Sequence, residues 1–315
     1  MSWSRFILRR FLLTGITLFI VSLTIFAITQ IIPGDTAQFV LGKQATPEAL
    51  VAMRERMGLD RPAYIRYADW LWDAMHGDLG DSLYYDRPIA PLLGSRLLNS
   101  MRLAAMAFAA GVPLSMLLGI IAGLTPRQLP DNLISVATLT AVSLPEYVSG
   151  VGLMFIFGVW LGWLPSSSVI DPGANPFHVM KHLVLPVATL TLQMLAHISR
   201  MTRAGMIEVM QTAYVRTAYL KGLPSHVVIL KHALRNALLP SITVIAVYVG
   251  WLMGGLIIVE EVFAYPGIGR LLILAIDYRD LPLLQSTALV IAAISIATNL
   301  VADVAYAYLN PRIRY

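Results

Sequence analysis

The amino-acid sequence predicts an all-α polytopic membrane protein: six transmembrane helices, a long external segment after the first span, and a cytoplasmic helical elbow between the fourth and fifth. Three observations carry that expectation. Of 315 residues, 57% are hydrophobic and 13% charged, with a mean hydropathy of +0.70, whereas a soluble domain carries about 25% charged residues. Apolar runs of about 20 residues recur, each long enough to cross about 30 Å of hydrocarbon. Basic residues gather beside alternate runs, as the positive-inside bias of membrane insertion requires.

The first run, residues 11–32, follows Arg5, Arg9 and Arg10. It is longer than the apolar region of a signal peptide and no small-residue cleavage pattern follows, so a retained first span is expected. The next segment holds two helix-like stretches, one opened by Thr46-Pro47-Glu48 and closed by Gly58, the other running from Pro62 to about Met75. Proline at a first helical position and glycine past the last are ordinary helix punctuation. Tyr64, Trp70, Leu71 and Met75 are expected to pack this cap down on the bundle.

The remaining spans fall at residues 103–124, 133–163, 183–199, 237–259 and 283–309. The third is longer than one crossing needs, so Pro145 is expected to kink it or split off an interfacial turn. Pairs of glycines one turn apart, Gly119 with Gly123, Gly158 with Gly162 and Gly250 with Gly254, are either close helix contacts or chance in a chain with 22 glycines. The organisation this implies is residues 1–32 as cytoplasmic tail and first span, 33–96 as external cap, 97–309 as a five-helix core, and 310–315 as a second cytoplasmic tail.

With both termini cytoplasmic, the inner side collects Arg5, Arg9, Arg10, Arg127, Arg200, Arg203, Arg216, Lys221, Lys231, Arg235, Arg312 and Arg314. The short outer loops hold only Lys181, Arg270 and Arg279, which favours this orientation. The net charge of +5 is therefore membrane topology, and nucleic acid is not an expected partner. Cysteine is absent, which removes disulfides, thiolate metal sites and a cysteine nucleophile.

Residues 200–236 are too polar for lipid and too short for a domain. Their apolar residues fall on helical faces, at Met206, Val209, Met210, Ala213 and Leu220, then at Val227, Leu230, Leu234 and Leu238. Lys221-Gly222-Leu223-Pro224 separates the two helices. Arg200, Arg203, Arg216, Lys221, Lys231 and Arg235 face a single acid, Glu208. Such a charge suits anionic lipid headgroups, yet the regular helix-glycine-helix form argues for a docked protein partner.

Candidate chemistry elsewhere is sparse. Glu146 beside Pro145 is either a polar group on a water-filled path, facing a substrate ammonium or cation, or an interfacial residue starting a helix. Asp303, about two turns from the end of the sixth span, is read as structural or interfacial. His197, His226 and His232 are too scattered for a metal cage, and no metal site is expected. A phosphate-binding GxxxxGK[ST] loop is missing, since Gly42-Lys43 lacks the other required residues. The chain is accordingly not expected to be an enzyme.

Here the sequence resembles the membrane subunits of binding-protein-dependent ABC importers, in the dipeptide, oligopeptide and nickel group. The resemblance rests on Glu208-Val209-Met210, on Tyr214-Val215-Arg216-Thr217-Ala218-Tyr219-Leu220-Lys221-Gly222-Leu223, and on Lys231-His232-Ala233-Leu234-Arg235-Asn236-Ala237-Leu238-Leu239-Pro240. Further marks are Ile32-Pro33-Gly34-Asp35, Gly58-Leu59-Asp60-Arg61-Pro62, Gly77-Asp78-Leu79-Gly80, Glu260-Glu261-Val262-Phe263-Ala264-Tyr265-Pro266-Gly267-Ile268-Gly269 and Asn310-Pro311-Arg312-Ile313-Arg314. Where the general importer pattern reads Glu-Ala-Ala, three residues, then Gly, this chain has Arg216, Thr217, Ala218 and Gly222, a replacement similar to that of peptide-type members.

The resemblance implies a permease subunit of an ATP-driven importer in the bacterial inner membrane. Its partners would be a second homologous permease, two ATP-binding subunits carrying ATP and Mg, and an external solute-binding protein; this chain would bind no cofactor. The elbow would be a coupling helix, with Glu208, Ala213, Tyr214, Arg216, Thr217, Ala218, Lys221, Gly222, His232 and Asn236 toward the ATPase. Glu260 and Glu261 would lie at an external gate or binding-protein contact. Di- and oligopeptides are the expected cargo, with nickel or a metal chelate, glutathione and opine-like solutes as alternatives; the Tyr67, Trp70, Leu71, Trp72 patch is similar to nickel-type members. A secondary transporter, the rival class, would need inverted repeats or several intramembrane charges, and neither is visible.

Overall fold

The computed structural model describes residues 3–31, 46–56, 60–169 and 175–309. The quoted motifs Ile32-Pro33-Gly34-Asp35 and Asn310 to Arg314, with Gly42, Lys43, Gly58 and Leu59, lie outside the described residues. In chain order the elements are α1 (Trp3–Ile31), α2 (Pro47–Arg56) and α3 (Ala63–Met75). A two-residue antiparallel bridge follows, β1 (Asp81–Ser82) with β2 (Arg87–Pro88), Asp81 opposite Pro88. Then come α4 (Ile89–Leu124), α5 (Leu129–Ser143), α6 (Glu146–Trp160), α7 (Pro176–Met210), α8 (Ala213–Leu220) and α9 (Ser225–Ala237). The described chain closes with α10 (Leu239–Val262), α11 (Ile268–Asp277) and α12 (Leu281–Leu309). Both α6, at Met154–Trp160, and α9, at Val228–Ala233, contain π-helical turns.

Among the described residues, four helical stretches are long and apolar enough to cross a membrane unaided: Leu8–Ile31, Ile89–Leu124, Phe177–Met210 and Leu281–Val304. Two bent pairs bring the number to six if each counts as one span. In the first, α5 and α6 meet at 107°. Leu144 and Pro145 are extended there, because a proline disfavours helical backbone at the residue before it. The second pair, α9 and α10, bends by 48°, with Pro240 in the first turn of α10. Hydropathy placed the start of the second span at residue 103, whereas α4 begins at Ile89; Arg96 and Arg102 depress hydropathy without interrupting a helix.

The chain divides into two compact units. Among the described residues, the first comprises those up to 100 together with 266–300. Its core joins Ile89, Leu92 and Leu93 of α4 to Ile268, Leu271 and Ala275 of α11 and Leu283 of α12. Buried Asp280 caps α12 by accepting from the Leu283 amide at 3.1 Å. It also accepts from Ser82 Oγ at 2.5 Å and the Tyr84 amide at 3.1 Å, which ties β1 to α12. On α3 the inward face is Tyr67 and Trp70: the Tyr67 and Ser22 hydroxyls are 2.8 Å apart, and Phe26 packs on both rings. Tyr64 and Met75, expected to point inward, are exposed.

The second unit comprises the described residues of 101–265 and 301–309. Leu103 and Ala107 of α4, Leu183, Leu185 and Leu190 of α7, and Leu252, Leu256 and Val259 of α10 form its core. A second cluster, Met194, Ile198 and Tyr248, continues along α7 and α10. Of the glycine pairs, Gly119 with Gly123 is a close helix contact. A Cβ on Gly119 would fall 2.5 Å from the Ser199 carbonyl oxygen, and one on Gly123 would fall 2.5 Å from Met206 Cβ. Gly254 and Gly162 face open space, whereas Gly255 abuts Glu146.

Candidate functional site

The elbow is built from the end of α7, then α8 and α9. Helix α7 runs through residue 200 to Met210, where Gln211 and an extended Thr212 break it. Residues 200–236 are thus not two free-standing helices; the first part is the tail of a span. Helix α8 ends in a Schellman turn. Gly222 has φ +76°, its amide donates to the Tyr219 carbonyl at 2.9 Å, and the Leu223 amide reaches the Ala218 carbonyl at 3.4 Å. That backbone disfavours any side chain, which is why glycine stands there.

Inside the elbow, Val215, Ala218, Val228 and Ala233 are buried, with Val209, Met210 and Leu223 against them. The inward face expected from periodicity is therefore partly wrong. Ala213 is exposed, Leu220 is 80% exposed and Leu230 is 66% exposed. The break at Thr212 resets the helical phase, so Met206 and Leu220 cannot share one stripe.

Of the residues singled out for coupling, Glu208, Ala213, Tyr214, Arg216, Thr217, Lys221, Gly222 and Asn236 are exposed. Ala218 is buried as elbow core, and His232 is half-buried. Asn236 Nδ2 donates to the Tyr214 hydroxyl at 2.8 Å, bracing α9 on α8. A Cβ on Gly222 meets nothing within 4 Å. The outer surface thus combines cations, hydroxyls and bare apolar side chains around an exposed glycine backbone, a composition suited to docking.

A feature that charge counting missed anchors the elbow at its root. Asp131, in the first turn of α5, is 2% exposed and receives Arg203 of α7 in a fork: Nε to Oδ1 at 2.5 Å and Nη2 to Oδ2 at 2.7 Å. The Arg127 amide, at φ +63°, adds a bond of 2.8 Å, and Ser135 Oγ one of 3.3 Å. Bidentate charge-assisted bonds are among the stronger and more directional side-chain contacts. Its sequence signal is a lone acid after Leu129-Pro130 in an apolar stretch.

Glu146 opens α6 immediately after the sharp bend, half-buried, with both carboxylate oxygens beside Gly255 of α10. Gln193 of α7 donates to the Leu144 carbonyl at 3.2 Å, and its own carbonyl accepts from Tyr248 at 3.4 Å. Glu146 is the first residue of its helix, and it lies against a neighbouring helix. Glu260 is buried and Glu261 exposed at the end of α10. The Tyr265 amide donates to the Glu260 carbonyl at 2.8 Å, and burial, reinforced by the Glu260 charge and opposed by Arg102, pushes the Tyr265 hydroxyl up to about 12.

Residues 115–315 match the family described as binding-protein-dependent transport system inner membrane component, and residues 3–116 match its N-terminal counterpart. A Brucella abortus (strain 2308) protein named as a peptide transport system permease is 36% identical over 296 residues, 94% of each chain. The glutathione transport system permease protein GsiC of Escherichia coli (strain K12) is 37% identical over 310 residues, 98% of this chain and 99% of that one. A crystal structure of an amino acid ABC transporter with histidines matches with a TM-score of 0.52 at 16% identity, covering 71% of this chain and 94% of the other, which supports the shared helical fold. With family models covering nearly the whole length, the chain belongs to the binding-protein-dependent transport system inner membrane components and is a permease subunit of an ABC importer of the inner membrane.

Proposed function

We propose that this permease pairs with a second homologous permease to form the path for small peptides, driven by two separate ATP-binding subunits and supplied by an external solute-binding protein. Both termini are cytoplasmic, and ATP and Mg reside on the partners. The elbow of α8 and α9 sits in a groove of an ATP-binding subunit, whose closure on ATP pushes the elbow and, through Asp131 and Arg203, the helices behind it. The observation carrying this reading is the exposed Schellman turn at Gly222 flanked by Arg216, Thr217 and Lys221. Peptide cargo is favoured because the named relatives carry peptides and glutathione, itself peptide-like. Glu146 lines the path, and Glu260 with Glu261 belongs to the external gate.

The test is ATP-coupled peptide uptake by the four-subunit complex and its binding protein in liposomes. Gly222→Asn tolerates the left-handed backbone and keeps the elbow folded, while Gly222→Asp adds a charge at the docking surface. We expect Gly222→Asp to leave insertion intact and abolish uptake and uptake-coupled ATP hydrolysis. Normal coupled turnover in Gly222→Asp would overturn the docking role.

A further inference from the structure

At the end of α7 opposite the elbow, His178 and His182 stand one helical turn apart with their Nε2 atoms 3.1 Å from each other. Residues four apart share a helix face, with Cβ atoms about 5–6 Å apart, but an imidazole pair converging tip to tip needs a further constraint. It is present: His182 Nδ1 is 2.6 Å from the Ser167 carbonyl oxygen, and Ser168 Oγ donates to the His182 carbonyl at 2.6 Å. A carbonyl can only accept, so in the neutral ring of His182 the proton sits on Nδ1 and Nε2 presents its lone pair toward His178. His178 is exposed and His182 half-buried. The one cation on this turn, Lys181, is drawn over the Phe177 ring, 5.1 Å from its centre.

We propose that His178 and His182 form an open two-histidine site for a divalent transition ion. Metal–imidazole bonds of about 2.0–2.1 Å place two nitrogens about 2.8–3.4 Å apart across a right or tetrahedral angle, and the observed separation lies in that interval. A second ring nitrogen held by a backbone carbonyl is the usual outer support of a ligating histidine. Without an ion, His178 Nε2–H donates to His182; when the ion enters between the rings, His178 carries its proton on Nδ1 instead. Imidazole suits Cu²⁺, Ni²⁺ and Zn²⁺, with Cu²⁺ bound tightest. Among the described residues no three His, Asp or Glu side chains converge on a metal position. The bound ion therefore keeps open positions, for water or for a small chelator that arrives with it.

The experiment uses the full chain in lipid nanodiscs, purified without a polyhistidine tag, titrated with CuCl2 and NiCl2 by calorimetry, with electron paramagnetic resonance of the Cu²⁺ form. One ion per chain is expected, with Cu²⁺ tighter than Ni²⁺ and nitrogen coupling from two imidazoles. His178→Ala and His182→Asn should each weaken binding at least about tenfold, the lower end of what loss of even an outer support costs. Asparagine keeps a donor near the Ser167 carbonyl, which guards against a folding defect. Stoichiometric binding that survives in the double variant, or a spectrum lacking two-nitrogen coupling, overturns the site. Neither result depends on whether the elbow couples to an ATPase.

Discussion

At the scale of the residue, the Asp131–Arg203 fork is asymmetric, and the asymmetry makes a prediction. Asp131 is 2% exposed on its side chain and Arg203 is 32% exposed, so removing the arginine strands a buried carboxylate while removing the carboxylate leaves a guanidinium that water can reach. Breaking a buried pair by deleting one partner costs about 3–5 kcal/mol. Arg203→Gln is expected near that figure and Asp131→Asn clearly below it, read from the midpoint shift in thermal unfolding followed by tryptophan fluorescence in detergent. Equal losses would mean that the pair is solvated in the protein. The sequence allowed Arg203 to be seen only as one of many cytoplasmic cations, because nothing local to residue 203 tells which of its neighbours in space is acidic. Gly222 was legible, since a glycine followed by leucine and proline at a helix end has a backbone reason to be there.

Elements were predicted well where hydropathy decides and poorly where a face had to be chosen. The bend at Pro145 follows from proline chemistry and appeared where expected, at 107°. The buried face of α8 did not, because a two-residue break at Gln211–Thr212 shifts the phase by an amount that composition does not encode. Glycine pairs show the same limit. All three have the spacing that permits close approach, but the Gly119 and Gly123 pair faces the neighbouring helix α7 while Gly254 meets open space. Gly123→Leu should therefore push α4 off α7 and cost about 1–3 kcal/mol as an overpacked contact, whereas Gly254→Leu on the open face of α10 should fall within about 0.5 kcal/mol. Denaturant unfolding of the two variants, compared side by side, gives the answer; equal destabilisation would contradict the packing.

For the whole molecule, the absence of cysteine makes topology directly measurable. Tyr64 on α3 is 74% exposed and Leu220 at the elbow is 80% exposed, so Tyr64→Cys and Leu220→Cys leave the cores untouched. In intact spheroplasts an impermeant maleimide should label Tyr64→Cys, and Leu220→Cys should react only after the membrane is opened. Reversal of that pattern would invert the proposed orientation. The amino-acid sequence by itself determined that this is a multi-span helical membrane protein, that it bends at Pro145 and turns at Gly222, and which importer group it resembles. Those properties follow from local quantities: apolar run length, proline and glycine backbone limits, and charge beside a span. Tertiary structure alone decided that Asp131 grips Arg203, that Asp280 staples β1 to α12, that Glu146 lies against Gly255, and that His178 and His182 meet. Each of these depends on which faces and segments pack together, a choice made by the summed burial of whole helices and not by any one residue's identity.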